Sequence, residues 1–313
     1  MLKSRIVGLL VLFCLPLAGC LSFQQGRVNY GLKRHQYIEI GPKKQRVRIF
    51  ERGNPKNPHV ILLHGYGSSG VVWLGLMKTL ERLGYHALAF DLPGFGLSDK
   101  YDGNYDTRHI ADQVSLMMAK KGINKADVIA HSWGSSVALA LTLRHRKKVR
   151  RLVIHGGWVY SAQMLPVLRW AKIPIFGELL YGVFFKERPE ERFASSFYNP
   201  DRMVKQAIVE KIKEALDRPG YLAAALAVAR GMNYEDMEKK YRSITQPALL
   251  LWGKQDHVSL PFYGRRLSSE LPHSRFYTLD RCGHMPMLER PYLVRRYVSS
   301  FLGPAKRLRQ YSR

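Results

Sequence analysis

The alternation of short apolar runs with helical patterns constrains the fold of this chain most. Four runs of four or five residues are typical of strands buried on both faces, and they are Val60–Leu63, Ala87–Phe90, Ala126–Ala130 and Arg151–His155. Helical patterns separate them, at about 71–83, 107–120 and 135–146. Because parallel strands need a crossover, usually a helix, this order predicts an α/β fold with a mostly parallel central sheet and helices on both faces.

The alternation is preceded by a predicted hairpin and interrupted by a long insertion. Gly41-Pro42 separates β-rich runs at Gln36–Ile40 and Arg46–Glu51, which predicts a leading hairpin. More than ninety residues then lie between His155 and the next apolar run, Ala248–Trp252, far more than one crossover requires. Helical patterns at about 175–185, 201–216 and 221–232 predict an inserted helical cap. The apolar residues of 164–185 could line an acyl pocket, but we expect most of them simply to pack onto the main domain.

After the cap, a helix at about 261–271, a strand at 275–279 and a helix at 288–302 complete the predicted sheet. The resulting organisation is a signal peptide at 1–19, a linker at 20–32, core at 33–156, cap at 157–243, core at 244–303 and a basic tail at 304–313.

The run ending at Ala130 leads directly into a small-x-Ser-x-small turn and then a helix. Such a turn needs small residues two positions on either side of the serine, because backbone and helix approach closely around a strained nucleophile. Ala130 and Gly134 are small enough, although Ala is less common there than Gly. Ser132 is therefore the candidate nucleophile.

The segment Leu63-His64-Gly65-Tyr66-Gly67 follows the first buried run. The backbone N–H groups of Tyr66 and Trp133 are the candidate donors to a developing oxyanion. His64 is predicted to have a structural role beneath this loop. Asp91, in the Gly- and Pro-rich loop 91–98, is also predicted to be structural.

The candidate base is His284, which lies between the last predicted strand and helix. Two carboxylates could orient it. Asp256 follows the strand after the cap, whereas Asp280 is only four residues before the histidine and is poorly placed to reach its Nδ1. We favour Asp256, which gives the chain order Ser132, Asp256, His284.

The N-terminus has the pattern of a secretory signal. Lys3 and Arg5 precede an apolar run, Ile6–Leu17, that is too short to span a bilayer. The segment Leu17-Ala18-Gly19-Cys20 resembles the lipobox of bacterial lipoproteins, which implies cleavage before Cys20 and acylation of its sulfur. With Cys14 removed and Cys20 acylated, Cys282 is left without a disulfide partner and is predicted to be a buried packing residue. We expect a protein of the bacterial cell envelope, anchored through Cys20 on the periplasmic side, and outer rather than inner membrane because Leu21 follows the cysteine.

The positive charge of the chain is unusually high, at +26. Without Lys3 and Arg5, 48 basic residues remain against 24 acidic ones, a formal charge of +24. Six of the eight residues 144–151 are basic, and so is the tail. Because the chain has the pattern of a secreted protein, the expected partner of these clusters is an anionic membrane surface and not nucleic acid; a merely solvated basic surface is the alternative.

Taken together, these motifs resemble those of the α/β-hydrolase fold family with a helical lid, from about Lys33 to Leu302. The motifs are His64-Gly65, Asp91–Ser98, the serine turn, Gly253–Asp256 and Gly283–Pro291. By this resemblance Ser132 attacks a carbonyl, His284 takes and returns the proton, Asp256 holds the imidazole, and no cofactor or metal is needed. Dehalogenases and epoxide hydrolases of the family use an Asp nucleophile, so Ser132 favours acyl chemistry.

The expected substrate is a small-molecule or lipid ester with an apolar acyl group, as for an esterase or lipase. A C–C bond hydrolase or an acyltransferase would use the same triad and stays an alternative. A non-catalytic lipid-binding protein of the envelope is a further alternative, but it would require a broken triad. The sequence does not define the oligomeric state.

Overall fold

The computed structural model describes residues 21–185 and 189–306, which are built around an eight-stranded sheet. Its strands are β1 Tyr37–Ile40, β2 Gln45–Arg52, β3 His59–Leu63, β4 His86–Phe90, β5 Ala126–His131, β6 Val149–His155, β7 Ala248–Gly253 and β8 Ser274–Leu279. Their order in the sheet is β1-β2-β4-β3-β5-β6-β7-β8. The β1–β2 hairpin and the β2–β4 pair are antiparallel, and all other pairs are parallel. The predicted fold class is confirmed.

The α-helices within the described residues are α1 Leu74–Arg82, α2 Thr107–Lys120, α3 Trp133–Arg144, α4 Pro166–Trp170, α5 Phe176–Leu179, α6 Pro189–Ala194, α7 Pro200–Met203, α8 Gln206–Leu216, α9 Tyr221–Gly231, α10 Glu235–Glu238, α11 Pro261–Glu270, α12 Pro286–Glu289 and α13 Pro291–Leu302. A single turn of π-helix, Leu180–Phe184, continues α5. The helix predicted at 288–302 is divided at Pro291, which lacks an N–H group and forces Arg290 out of the helical region. The helix predicted at 201–216 is likewise interrupted between α7 and α8.

The sheet separates two apolar cores, because alternate side chains of each strand point to opposite faces. On β3, Ile61 and Leu63 belong to the core that includes α2, α3 and much of the cap. Val60 and Leu62 belong to the other, which includes α1 and α13. All four side chains are fully buried. The continuous apolar runs therefore reflect strands covered on both faces, as predicted.

The cap occupies the interval between β6 and β7 and contains α4 to α10. Its bounds at 157 and 243 stay a prediction. The expectation that most apolar residues of 164–185 pack onto the main domain is wrong. Met164, Ala171 and Tyr181 are buried, but most of the other large apolar side chains of this stretch are exposed. The sequence alone does not distinguish buried from exposed apolar residues in this stretch, because both are the same residue types.

The predicted linker after Cys20 lies against the folded domain. Leu21 and Phe23 pack on the first core, and Gln24 is buried. The backbone N–H of Gln24 donates to the carbonyl of Lys100 at 3.0 Å, and its side chain donates to Asp99 Oδ1 at 3.1 Å. The signal peptide at 1–19, Cys20 and the tail beyond residue 306 lie outside the described residues. No helix in the part of the chain that the structure describes has the length and hydropathy needed to cross a membrane.

Several basic residues of the cluster 144–151 make contacts within the fold, and its binding to an anionic membrane surface stays a prediction. Arg144 pairs with Asp112, Arg146 donates to Ser243 and Thr245, and Lys148 donates to the carbonyl of Ser115.

Arg150 and Arg151 of the same cluster both bind the fully buried Asp127, with four N–O distances between 2.8 and 3.1 Å. An irregularity in the β5–β6 register places these two residues opposite the single Asp127. Such a bulge allows consecutive side chains to reach one partner.

Asp127→Asn is expected to lower the free energy of unfolding by about 3 kcal/mol, because it leaves two partly buried guanidinium groups without their carboxylate. The matched control is Asp112→Asn, whose pair with Arg144 is more exposed and should cost less than about 1 kcal/mol. Urea unfolding of both variants measures the difference. Equal losses of unfolding free energy in the two variants would show that burial does not raise the contribution of the Asp127 pairs to stability.

Candidate active site

Ser132 occupies a strained turn between β5 and α3. Its backbone has φ 51° and ψ −126°, a region that non-glycine residues rarely adopt. The turn is held by its own peptide groups: Ser132 N–H donates to the carbonyl of His155 at 3.0 Å, and its carbonyl accepts from Trp158 N–H at 3.0 Å. Strained residues concentrate at functional sites, and this one is the predicted nucleophile.

Two glycines permit the close approach of the loop after β3 to the serine turn. A Cβ on Gly134 would lie 2.4 Å from the carbonyl oxygen of His64, and a Cβ on Gly65 would lie 2.9 Å from Cβ of Ser132. The turn therefore sits directly on the loop that continues into Tyr66. Trp133 is the first residue of α3, where backbone N–H groups lack helical acceptors and the helix dipole favours negative charge.

His284, the predicted base, and Asp256, the predicted orienting acid, are in direct contact. Nδ1 of His284 lies 2.9 Å from Oδ2 of Asp256, and both residues are buried. The other oxygen, Oδ1, accepts the N–H groups of Val258 and Ser259 at 2.9 and 2.8 Å. These two donors fix the carboxylate, so Oδ2 accepts from Nδ1 and Nε2 is the nitrogen left to accept a proton. Asp280 instead pairs with Lys254 at the surface.

Two groups that sequence reasoning missed hold the loop of His284. His131, the residue before the serine, has Nε2 2.8 Å from the carbonyl oxygen of His284, and the two rings lie 4.7 Å apart. From the cap, the carbonyl of Ser196 accepts His284 N–H at 2.7 Å. Burial, and next the neighbouring His284, hold the pKa of His131 well below its ordinary value. A neutral His131 then donates to the carbonyl of His284 and so fixes the position of that loop.

His64 and Asp91 have the structural contacts that were predicted for them. His64 Nδ1 donates to the carbonyl of Gly65 at 2.7 Å, and its Nε2 accepts Leu92 N–H at 2.8 Å. Asp91 accepts the N–H groups of Gly70 and Leu97, both at 2.8 Å. These bonds tie the loops after β3 and β4 together below the site.

His155 is a buried histidine whose two ring nitrogens find no hydrogen-bond partner among the described residues. It ends β6, and its carbonyl supports the serine turn. Because burial disfavours the charged imidazolium, the pKa of His155 is lowered from 6.5 to about 3.

His155→Leu is expected to reduce the loss of stability in acid. Below pH 6.5 the unfolded chain binds a proton at this site while the folded chain does not, until about pH 3, so stability falls as pH falls through that window. Removing the group should lower the slope by about 1.4 kcal/mol per pH unit. Urea unfolding between pH 4 and 7 measures it, with the exposed His273→Leu as control. An unchanged slope would contradict the expectation.

Cys282 is buried, and burial raises the pKa of its thiol well above its ordinary value, which fits the predicted packing role rather than a catalytic thiol. Within residues 21–185 and 189–306, no group of three or more His, Cys, Asp or Glu side chains is arranged to hold a metal ion.

Aromatic side chains surround the loop that carries Tyr66. Phe95 has ring centroids 5.3 Å from Tyr66, 5.8 Å from Trp133 and 6.1 Å from Tyr221. From the cap, the hydroxyl of Tyr181 lies 2.8 Å from that of Tyr66. The two backbone groups predicted as oxyanion donors therefore belong to residues of one aromatic cluster between core and cap.

Comparisons with known proteins agree with this architecture. A family model for the alpha/beta hydrolase fold matches residues 58–291. A 2-hydroxy-6-oxononadienedioate/2-hydroxy-6-oxononatrienedioate hydrolase from Cupriavidus pinatubonensis is 25% identical over 89% of this chain and 98% of its own.

Two solved structures are similar at the level of the fold. A 2-hydroxy-6-oxo-6-phenylhexa-2,4-dienoate hydrolase from Rhodococcus sp. strain RHA1 has a TM-score of 0.73 and 21% identity, over 85% of this chain and 97% of that one. A structure described as a membrane phospholipase A, a bacterial virulence factor, has a TM-score of 0.71 and 22% identity, over 96% of this chain and 92% of that one.

Proposed function

Because this chain belongs to the α/β-hydrolase family, we propose that it is a serine hydrolase that carries an apolar acyl group on Ser132 and releases it to water. The observation that carries the proposal is the 2.9 Å contact of His284 Nδ1 with the buried Asp256, in a fold that holds Ser132 at φ 51° between strand and helix. This combination activates a serine for attack on a carbonyl.

In the proposed cycle, Ser132, His284 and the oxyanion donors act once in acylation and once in deacylation. Ser132 Oγ attacks the carbonyl carbon while His284 Nε2 accepts its proton, and the oxyanion is stabilised by the N–H groups of Tyr66 and Trp133. Collapse breaks the bond to the leaving group, which takes the proton from His284. Water then attacks the acyl-enzyme, His284 takes a proton from it, and that proton returns to Ser132 as the acid leaves.

An ester with an apolar acyl group is the substrate that the surroundings of the site support best. Tyr66, a proposed oxyanion donor, keeps part of its aromatic surface exposed, and the rings of Phe95 and Tyr181 that contact it are buried. Such surface binds acyl chains or rings without needing a charged group.

A C–C bond hydrolase is the second candidate, and the named relatives favour it. The substrate in the name of the Cupriavidus relative carries two carboxylates, which call for cations in the site. In this chain two cations of the cap are paired with carboxylates of the cap itself: Arg230 binds Glu178, and Arg218 binds Glu214. These pairings are the reason for placing the ester first.

The two candidates are separated by substrate preference. We expect p-nitrophenyl esters of apolar acids to be hydrolysed with a higher kcat/KM than 2-hydroxymuconate semialdehyde, with a maximum at one acyl chain length. The reverse order would transfer the assignment to C–C hydrolysis. Adding an alcohol or glycerolipid acceptor tests acyl transfer, because an acyltransferase would form the new ester in place of the free acid.

The proposed location is the bacterial envelope, with a lipid anchor on Cys20 facing the periplasm. The supporting feature is the Leu17–Cys20 segment, and the packing of Leu21 and Phe23 would hold such an anchor close to the domain. The prediction is that Cys20→Ala protein no longer sediments with membranes in high salt. Incorporation of a clickable palmitate analogue into the unmodified chain, lost in Cys20→Ala, separates the anchor from any other membrane contact, and absence of that label from the unmodified chain would exclude lipidation.

A further inference from the structure

The first part of the cap carries an unusually dense set of exposed apolar side chains. Within residues 165–183, eight large apolar residues are exposed: Leu165, Val167, Trp170, Ile173, Ile175, Phe176, Leu179 and Val183. Ile175 is the most exposed of them, at 69%. Monomeric proteins rarely leave contiguous apolar surface of this kind uncovered unless it binds something. We call this surface the cap apolar face.

The cap apolar face is held in a defined shape from below. Arg230 of α9 donates to the carbonyl of Ala171 at 3.0 Å and binds the carboxylate of Glu178 at 2.7 and 2.9 Å. Gly177 is buried, and a Cβ there would lie 2.2 Å from the carbonyl oxygen of Ala171. The exposed side chains thus project from a fixed backbone, and Trp170 and Phe176 pack edge to face at 6.1 Å.

Backbone strain places the most prominent side chain of this face. Ile175 has φ 68° and ψ −50°, and Phe176 N–H donates to the carbonyl of Pro174 at 2.8 Å. This is the rare form of the γ-turn, which is unfavourable for any β-branched residue. The turn points an isoleucine into solvent at a cost in conformational energy, which a purely structural loop would avoid with Gly or Asn.

Within residues 165–183 positive charges outnumber negative ones, and Glu235 of α10 lines the same hollow as Arg169 and Lys172. Residues 165–183 contain Arg169, Lys172 and Glu178, and the glutamate is neutralised by Arg230. The whole chain has 50 basic and 24 acidic residues. Exposed apolar side chains, an exposed tryptophan and flanking cations together match a membrane interface. There the apolar side chains can enter the boundary of the acyl chains, and anionic head groups attract the cations.

We propose that the cap apolar face binds the surface of a phospholipid bilayer that contains anionic lipid. The proposal goes beyond the proposed function, since binding at this face needs no catalysis, and beyond the anchor at Cys20, which is a separate point of attachment. It also orients the site: Tyr181, on the inner side of the same segment, has its hydroxyl 2.8 Å from that of Tyr66. The aromatic cluster would then lie on the inner side of the segment that contacts the lipid.

The native tryptophans provide a local probe of this face. Trp170 is 52% exposed, whereas the other four tryptophans, Trp73, Trp133, Trp158 and Trp252, are at most 5% exposed. Residues 1–20 contain no tryptophan, so the leader adds no signal of its own. In the full chain, vesicles of brominated phosphatidylcholine and phosphatidylglycerol should quench tryptophan emission relative to the same vesicles without bromine. Trp170→Phe should remove most of that quenching.

Matched variants decide whether the face itself binds. Ile173→Asp combined with Ile175→Asp should weaken the vesicle partition coefficient by about tenfold or more, because two apolar side chains are replaced by anions. Tyr292→Asp is the control, since Tyr292 is equally exposed at the start of α13, on the other core of the sheet. Ile175→Asn serves if the double variant does not fold, because Asn tolerates a positive φ.

Three outcomes would overturn the proposal. The first is an absence of bromine quenching in the unmodified chain. The second is quenching that the Ile173 and Ile175 substitutions leave unchanged. The third is self-association without lipid, seen by light scattering and lost in the double variant, which would assign the face to a second copy of the chain. Ser132→Ala protein should bind vesicles normally, so failure of the proposed function and failure of this inference are distinguishable.

Discussion

Ser132→Ala is expected to lower kcat/KM for a p-nitrophenyl ester by about 10⁴-fold or more and to abolish labelling by a fluorophosphonate probe. The physical reason is that no acyl-enzyme forms once Oγ is absent, and the oxyanion donors alone leave only a residual rate above that in water. Stability should change little, because the serine turn is held by backbone groups, namely the carbonyl of His155 and the N–H of Trp158.

Ser135→Ala is the matched control for this experiment. Ser135 lies three residues further along, in α3, is fully buried, and its hydroxyl has no hydrogen-bond partner among the described residues. Its removal should preserve both hydrolysis and labelling. If the Ser132 variant still reacts with the probe, the nucleophile is another residue and the proposed acyl-enzyme is incorrect.

The sheet was predictable because burial on both faces leaves a local signature. Val60–Leu63 and Ala248–Trp252 are apolar throughout, and each becomes a strand with its ends within two residues of the prediction. The leading hairpin was also readable, since Gly41-Pro42 interrupts two β-rich runs. In these strands the apolar side chains that predict the strand are also the ones that pack on both faces of the sheet and stabilise it.

The cap surface was not predictable, because its exposure depends on contacts made far away in the chain. Ile175 and Tyr181 belong to one apolar stretch, yet one is exposed and the other is buried against Tyr66. The basic residues show the same limit. Arg150 and Arg151 look like surface charge in the sequence, but a register irregularity opposite Asp127 brings both into the fold.

The candidate site also has a part that the sequence predicted and a part that it did not. Ser132, Asp256 and His284 could be proposed from their positions after β5, β7 and β8, because chain order and strand ends place them at one edge of the sheet. The supports of His284 could not be assigned. His131 acts through its ring and Ser196 through a backbone carbonyl that any residue would supply, so neither contact leaves a recognisable pattern.

The choice between the two candidate carboxylates has a sharp consequence: Asp256→Asn is expected to lower kcat by about 10⁴-fold. The N–H groups of Val258 and Ser259 both donate to Oδ1, so the new amide must place its oxygen there and its NH₂ group towards His284. An NH₂ group facing Nδ1 makes that nitrogen the acceptor and moves the proton to Nε2. The imidazole is then in the tautomer that cannot accept the proton of Ser132.

The comparison with Asp280→Asn makes this prediction specific. Asp280 pairs at 3.0 Å with Lys254 at the surface, and both side chains are well exposed, so its loss should leave kcat within about twofold. Steady-state hydrolysis of the same ester measures both variants, and thermal unfolding checks that each is folded. Asp256 contacts Nδ1 of His284, whereas Asp280 does not. Equal rates for the two variants would therefore show that the 2.9 Å contact of Asp256 with His284 does not set the tautomer used in catalysis. A large loss confined to Asp256→Asn would instead tie the rate to that contact, because only there do two backbone donors dictate which way the amide must face.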